Sequence, residues 1–339
     1  MNKLHFGMIA LMVLLAGCAS KEEPPSLDTS LYEGKPIDSL SSDTPPVNEV
    51  EAIKRGDAAL GDRNYDLALY EYIRSLTFED AQMKDKSLYN IGRIHHARGN
   101  YPLAEKAYLL AVEENPNNAN VLEQLGILYT KSGDVTQGET YFYRAINADQ
   151  IRLGKNVSLK LQDDMTDVQI NNLAVDYKSP LMAYTGLGVI YDVEKEHDLA
   201  QAFYQRALQI NPASLKALLN TGYSFYMSGD YATARRYTMS ALERDPNNEK
   251  ALNNLALIYL GRGEVKRALN VFQQQMDAPE ALNNVGYFLM LQGKPQEAIP
   301  YLEQAIDKKP TYYQVANENL ERALEMVRQE QFIVAQTSE

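Results

Sequence analysis

The sequence predicts an all-α protein, a solenoid of about seven helix–turn–helix repeats closed by one further helix. Three observations predict it. The first is a beat of small residues, a second following the first after twelve positions and usually a third after seven more. It runs Gly56, Ala68, Ser75; Gly92, Ala104, Ala111; Gly126, Gly138, Ala145; Gly188, Ala200, Ala207; Gly222, Ala234, Ala241; Ala256, Ala268, Gln275; and Gly286, Ala298, Ala305. Small residues are needed where two helices cross closely, because larger side chains push the axes apart and open voids. The second is large apolar residues at helical spacing between those crossings, such as Leu88, Ile91 and Tyr108, Leu218, Phe225 and Met239, or Leu252, Leu255, Tyr259 and Phe272. The third is a turn with central glycine inside five units: Arg98-Gly99-Asn100, Ser132-Gly133-Asp134, Ser228-Gly229-Asp230, Arg262-Gly263-Glu264 and Gln292-Gly293-Lys294. Glycine there takes the left-handed conformation that ends a helix.

Taken in order, the units are placed at 49–82, 85–118 and 119–152, then at 181–214, 215–248, 249–278 and 279–312. Pro116, Pro212, Pro246 and Pro310 close four of them, since proline cannot continue a helix. The sixth unit lacks its proline and runs through Met276-Asp277-Ala278 into the next, so its second helix is expected to lose a turn. The first is the weakest match, with Asp80 at the proline position, as suits an end repeat. Residues 313–330 form an amphipathic capping helix with Val315, Leu320, Ala323, Leu324 and Val327 apolar, and 331–339 a tail.

This pattern resembles the tetratricopeptide repeat (TPR), a helix–turn–helix unit with a period of about 34 residues. The resemblance implies a right-handed superhelix whose first helices line a concave groove, and a protein that holds other proteins. Mapped onto that groove, the position often held by asparagine falls on Asn90, Gln124, Asn220, Asn254 and Asn284. An amide donates to and accepts from a peptide backbone at once, so a row of them would hold an extended chain; equally, it would serve helix packing. Tyr89, Arg93, His96, Tyr223, Tyr226, Met227, Asn253, Tyr287 and Met290 fall on other groove positions. Tyrosine suits protein-binding surfaces, although with 23 tyrosines and no tryptophan several belong to the core. Lys216 and Lys250 are present without the rest of a chaperone-binding clamp, which leaves recognition of a C-terminal carboxylate unsupported.

The first 17 residues read as a signal peptide, with Lys3 ahead of an apolar run, Phe6 to Leu15, too short to span a bilayer. Leu15-Ala16-Gly17-Cys18 resembles the bacterial lipobox, which implies a lipidated Cys18 as first mature residue. Cys18 is the only cysteine, which excludes a disulfide within the chain. Several acyl chains anchor stably where one does not. Ala19 stands where an aspartate would resemble an inner-membrane retention signal, so the expected site is the outer membrane, facing the periplasm. Residues 18–48, with Pro24-Pro25 and Pro45-Pro46, are expected to be a disordered tether. The net charge of −12 argues against a nucleic-acid partner and leaves the lipid anchor as the only membrane contact.

An insertion, 153–180, separates 49–152 from 181–312. Val157, Leu159 and Leu161 alternate with polar residues, and Asp163, Asp164 and Thr166 are placed to cap a short helix holding Val168, Ile170, Leu173 and Val175. Two readings stand: a plug packed on the solenoid, or a protruding element that contacts a partner. No catalytic residue, metal site or cofactor is expected. His95 and His96 adjoin rather than lying three or four apart, His197 falls in a turn, and no phosphate loop or nucleophile motif is present. An enzyme hidden in the insertion would need Asp163, Asp164 or Asp167 to converge on a pocket.

Lipobox, tether and repeat array together resemble the TadD family of Tad (Flp) pilus-assembly lipoproteins, with type IV pilus pilotins next. The runs Ala251-Leu252-Asn253-Asn254-Leu255-Ala256 and Ala281-Leu282-Asn283-Asn284-Val285-Gly286 carry the likeness, and the insertion departs from it. The resemblance implies partners among pilus components, the secretin first. The other reading is a periplasmic protease adaptor that delivers envelope hydrolases.

Overall fold

The structure, a computed structural model, describes residues 29–40, 44–156, 159, 165–309 and 311–337. The predicted signal peptide, Cys18, Asp163 and Asp164 lie outside them. Among the described residues sixteen α-helices follow one another: α1 (Glu49–Gly61), α2 (Tyr65–Ser75), α3 (Lys84–Ala97), α4 (Tyr101–Glu114), α5 (Ala119–Ser132), α6 (Val135–Arg152), α7 (Asp167–Asn171), α8 (Leu181–Val193), α9 (His197–Ile210), α10 (Leu215–Met227), α11 (Tyr231–Arg244), α12 (Glu249–Gly261), α13 (Val265–Phe272), α14 (Ala278–Leu291), α15 (Pro295–Lys308) and α16 (Gln314–Thr337). No strand occurs among the described residues. The chain divides into two compact units, residues 1–94 and 95–339, the division falling within α3.

In the first unit α1 packs on α2 as an antiparallel pair. A Cβ added at Gly56 would meet the Tyr72 ring at 2.7 Å, so only glycine lets the two helices approach. Before α3 the backbone amides of Gln82 and Met83 both donate to the Glu49 carboxylate, each at 2.8 Å. The predicted disordered tether is corrected in its second half. Residues 29–40 hold two turns of 3₁₀-helix, Thr29–Leu31 and Ile37–Ser39, and Leu31 is buried. Leu31, Tyr32, Ile37 and Leu40 give this stretch the apolar content that a free linker lacks.

In the second unit α5–α6, α8–α9, α10–α11, α12–α13 and α14–α15 form helical pairs, and α16 packs on α14 and α15. One register repeats. The glycine of a first helix faces the residue sixteen positions on: Gly126 meets Phe142, Gly188 meets Tyr204, Gly222 meets Thr238 and Gly286 meets Leu302, each closer than 3 Å to an added Cβ. The twelve-residue beat marks the backbone crossing itself, an added Cβ on Gly138 lying 3.0 Å from the Gly126 carbonyl. The turns are left-handed at Gly99, Gly133, Gly229, Gly263 and Gly293, while Lys195 takes the same conformation without glycine. Second helices are capped by Asn100, Asp134 and Asp230, whose side chains accept from the amide three residues on.

The shortened sixth unit is seen directly: α13 has 8 residues where α11 and α15 have 14 each. One boundary differs from expectation. Helix α16 runs to Thr337, so the predicted tail continues the capping helix, no glycine or proline intervening to stop it. The described part of the insertion packs against the second helices α6 and α9 as a plug, with Ile170 and Leu173 buried among their apolar residues. Two amide side chains of α6 hold it. Asn147 donates to the Leu159 carbonyl at 2.8 Å and accepts from its amide at 2.7 Å. Gln150 does the same for Ala174, at 2.8 and 3.2 Å. Thr166 caps α7 in a reciprocal capping box with Gln169, and Asp167 is the first residue of that helix.

Candidate protein-binding face

The predicted groove residues separate on burial and on partners. In the first unit Asn90 is buried and accepts from Arg93, whose guanidinium lies 5.5 Å from the Tyr89 ring. These three hold one another on one face of α3. In the second unit Asn254 donates to the Leu219 carbonyl at 3.2 Å, and Asn284 lies 3.2 Å from the Met276 sulfur. At both positions the amide group is engaged in joining neighbouring elements, which is the packing reading of that row. Tyr287 packs against the core around Phe288, while Asn253 is exposed on α12.

The open apolar surface lies on α8 and α10. Tyr223 is 42 % exposed and Met227 49 %, and the half-buried Tyr226 ring lies 6.0 Å from Tyr223 and 5.9 Å from Tyr231. Beside them Val189 and Val193 are exposed on α8. A cavity of about 290 Å³ opens here, lined by Asn220, Tyr223, Met227, Val189 and Val193. A second, of about 310 Å³, shares the two valines and continues to Ile127, Lys131 and Val135 on the α5 side and Lys216 on α10. Of the asparagine row, Asn220 faces a cavity.

The elements that aim this face are firmly tied. Phe142 fits between the glycines of two first helices, an added Cβ on either Gly126 or Gly186 coming within 2.4 Å of its ring. The start of α8 follows Pro180, which offers no side-chain cap, and Glu123 of α5 substitutes by accepting from the amides of Met182 at 2.7 Å and Ala183 at 3.1 Å. Burial pushes the Glu123 carboxyl up to about 7 against these two hydrogen bonds. Asp192 ties α8, α9 and α10 together: it accepts from Ser224 at 2.6 Å and Tyr204 at 2.9 Å, and lies 2.9 Å from His197 Nδ1. The carboxylate sits between two hydroxyls and an imidazole, so these four residues form a clasp between repeats. His197 is the first residue of α9, not a turn residue.

Sequence reasoning missed Val189, Val193, Lys131 and the glycine partners at the sixteenth position. A signal for the valines was present: Leu181 to Val193 carries apolar residues around more than one face, which a helix burying a single stripe does not need.

Families of tetratricopeptide repeats match residues 53–119 and 89–150, 183–214, 225–279 and 279–312. The chain belongs to the tetratricopeptide repeat proteins. Human tetratricopeptide repeat protein 6 is 31% identical over 139 residues, 39% of this chain and 26% of that protein. The BBSome complex member BBS4 of Bos taurus is 24% identical over 232 residues, 65% of this chain and 44% of that protein. The chain thus spans between about a quarter and a half of the length of these relatives. Among solved structures, a tetratricopeptide repeat protein from Parabacteroides merdae has a TM-score of 0.48 at 18% identity, covering 81% of this chain and 98% of that one. The pilF protein of Pseudomonas aeruginosa has a TM-score of 0.44 at 16% identity, covering 69% and 95%. Repeats of this family act as protein-interaction scaffolds, and the exposed face on α8 and α10 has the apolar and aromatic character such a role requires.

Proposed function

We propose that this chain is a lipid-anchored scaffold of the bacterial envelope, holding a protein partner on the first helices of its second unit. The carrying observation is the run of exposed Val189, Val193, Tyr223 and Met227 over two adjoining cavities. Apolar surface of that kind, left open on a repeat array, marks a docking face. The lipobox supports acylation at Cys18 and an outer-membrane position facing the periplasm. The TadD-like layout of lipobox and repeats supports a partner within a Tad/Flp or type IV pilus machine, the secretin foremost.

The test is a crosslinked pull-down of the lipidated protein from envelopes, beside a Tyr223→Ala/Tyr226→Ala variant whose folding is checked by circular dichroism. Recovery of a secretin or pilus subunit, lost with the variant, is the expected result. Recovery of a protease with wall hydrolases replaces the pilus role by the adaptor role. A partner retained by the variant moves the site away from α10.

A further inference from the structure

The proposed scaffold role leaves open what kind of segment the face accepts, and its charges narrow the choice. The chain carries a net charge of −12, yet the side chains at the edge of the larger cavity include Lys131, at the C-terminal end of α5, and Lys216, in the first turn of α10. Lys250, in the first turn of α12, is close enough to act on Lys216 electrostatically, as is Lys131. Among the described residues none of the three makes a salt bridge. Glu123, an acid that acts on Lys216 in the opposite sense to the other lysines, has its carboxylate turned to the backbone of α8. Burial, then Lys131 and Lys250, lower the affinity of Lys216 for its proton. Two of the three also stand in a first helical turn, where the helix field disfavours cations. Two cations at an apolar opening, one of them also under the field of Lys250, are unfavourable in the free protein, and an anionic partner relieves that repulsion.

We infer that this face takes a partner segment that is acidic and carries an apolar anchor side chain, the anchor entering the cavity between α5, α8 and α10 and the acids meeting Lys131, Lys216 and Lys250. The volume of about 310 Å³ accommodates a leucine- or phenylalanine-sized group, and Ile127, Val135, Val189 and Val193 supply its apolar walls. Glu194, on the same rim, orients the segment by repelling acids from the end of α8 and leaving them to the lysine side.

Fluorescence anisotropy with three dye-labelled synthetic peptides tests this on the full chain in detergent. One peptide combines Glu with Leu and Phe; the second replaces each Glu by Lys; the third keeps Glu and replaces Leu and Phe by Ser. The first is expected to bind on the order of tenfold more tightly than either other, to weaken with added salt, and to lose on the order of tenfold in affinity to Lys131→Glu/Lys216→Glu. Among the described residues neither lysine makes a salt bridge, so the fold is expected to survive, and the milder Lys131→Gln/Lys216→Gln pair gives an intermediate loss. Equal binding of the basic or serine peptide, indifference to the lysine variants, or no binding of the first peptide overturns the inference. The pull-down separates this from the scaffold role. A natural partner kept by the lysine variant and lost by the Tyr223/Tyr226 variant overturns only the charge assignment; absence of any partner from the wild type overturns the scaffold itself.

Discussion

Glu123 shows how a single residue carries the junction after the insertion. Its carboxylate does for α8 what Pro180 cannot, and in the first unit Glu49 does the same ahead of α3. The cost is burial of an acid whose carboxyl is raised from 4.5 to about 7. A folded-state pKa above the unfolded value means that the folded chain holds the proton more tightly. The group therefore costs nothing below about pH 4.5, and its destabilising effect grows until the pH has passed about 7. Glu139, raised to about 7 by burial and then by Glu194, acts in the same direction. Glu123→Gln removes the ionisation and keeps an acceptor oxygen. Its stability relative to wild type is expected to rise between pH 5 and pH 8 by on the order of 1–3 kcal/mol in urea denaturation. A difference independent of pH would mean that the helix N-terminus keeps the carboxylate ionised. None of this was legible in the sequence, because the carboxylate and the amides it binds are separated by a segment of unpredictable path. The glycines were legible, since a small residue at a fixed period has one physical reason to be there. Their partners were not, because Tyr72, Phe142, Tyr204, Thr238 and Leu302 share a position without sharing a residue type.

At the scale of elements, the repeat pattern predicted helices well where cap, turn and apolar stripe agree, as in α5–α6 and α10–α11. It ran out at the insertion, where period and turn signals stop. What the chain uses there is a device with no pattern: Asn147 and Gln150, one turn apart on α6, each present an amide that pairs both backbone groups of one insertion residue. Gln150 is fully buried, so its removal leaves the Ala174 amide and carbonyl without their partner. Gln150→Leu is expected to cost about 1–3 kcal/mol. It should also raise the rate of limited proteolysis within 153–180 well before the helical pairs are cut. Unchanged cleavage there would show that Ile170 and Leu173 alone hold the plug. Because the plug lies on the second helices, the first-helix face on α8 and α10 is available to a partner, which joins this local device to the proposed function.

At the scale of the whole molecule, a repeat array is stabilised by each unit and by its interfaces with neighbours, so its weakest unit sets where it opens. Within the second unit of this chain the candidate is α13. Its 8 residues span about 12 Å, against about 21 Å for the 14 residues of α11 or α15. Its N-cap, Glu264, makes no side-chain cap bond, whereas Asp230 caps α11. It is held mainly by Ala268, Val271 and Phe272, with Phe272 stacked on Phe288 of the following repeat at 6.1 Å. The loss of a turn was readable from the missing proline and the early Asp277; its energetic consequence depends on packing that only the structure supplies. Native-state hydrogen exchange is expected to show α13 amides exchanging through an opening of lower free energy than those of α11, with α12 protected between them. Such an opening would let the repeats on either side pivot while the face on α8 and α10 keeps its shape, giving a scaffold one compliant joint outside its docking surface. Protection of α13 equal to that of α11 would instead mean that Phe272 and Phe288 couple the repeats into one cooperative block, and that the array binds its partner as a rigid body.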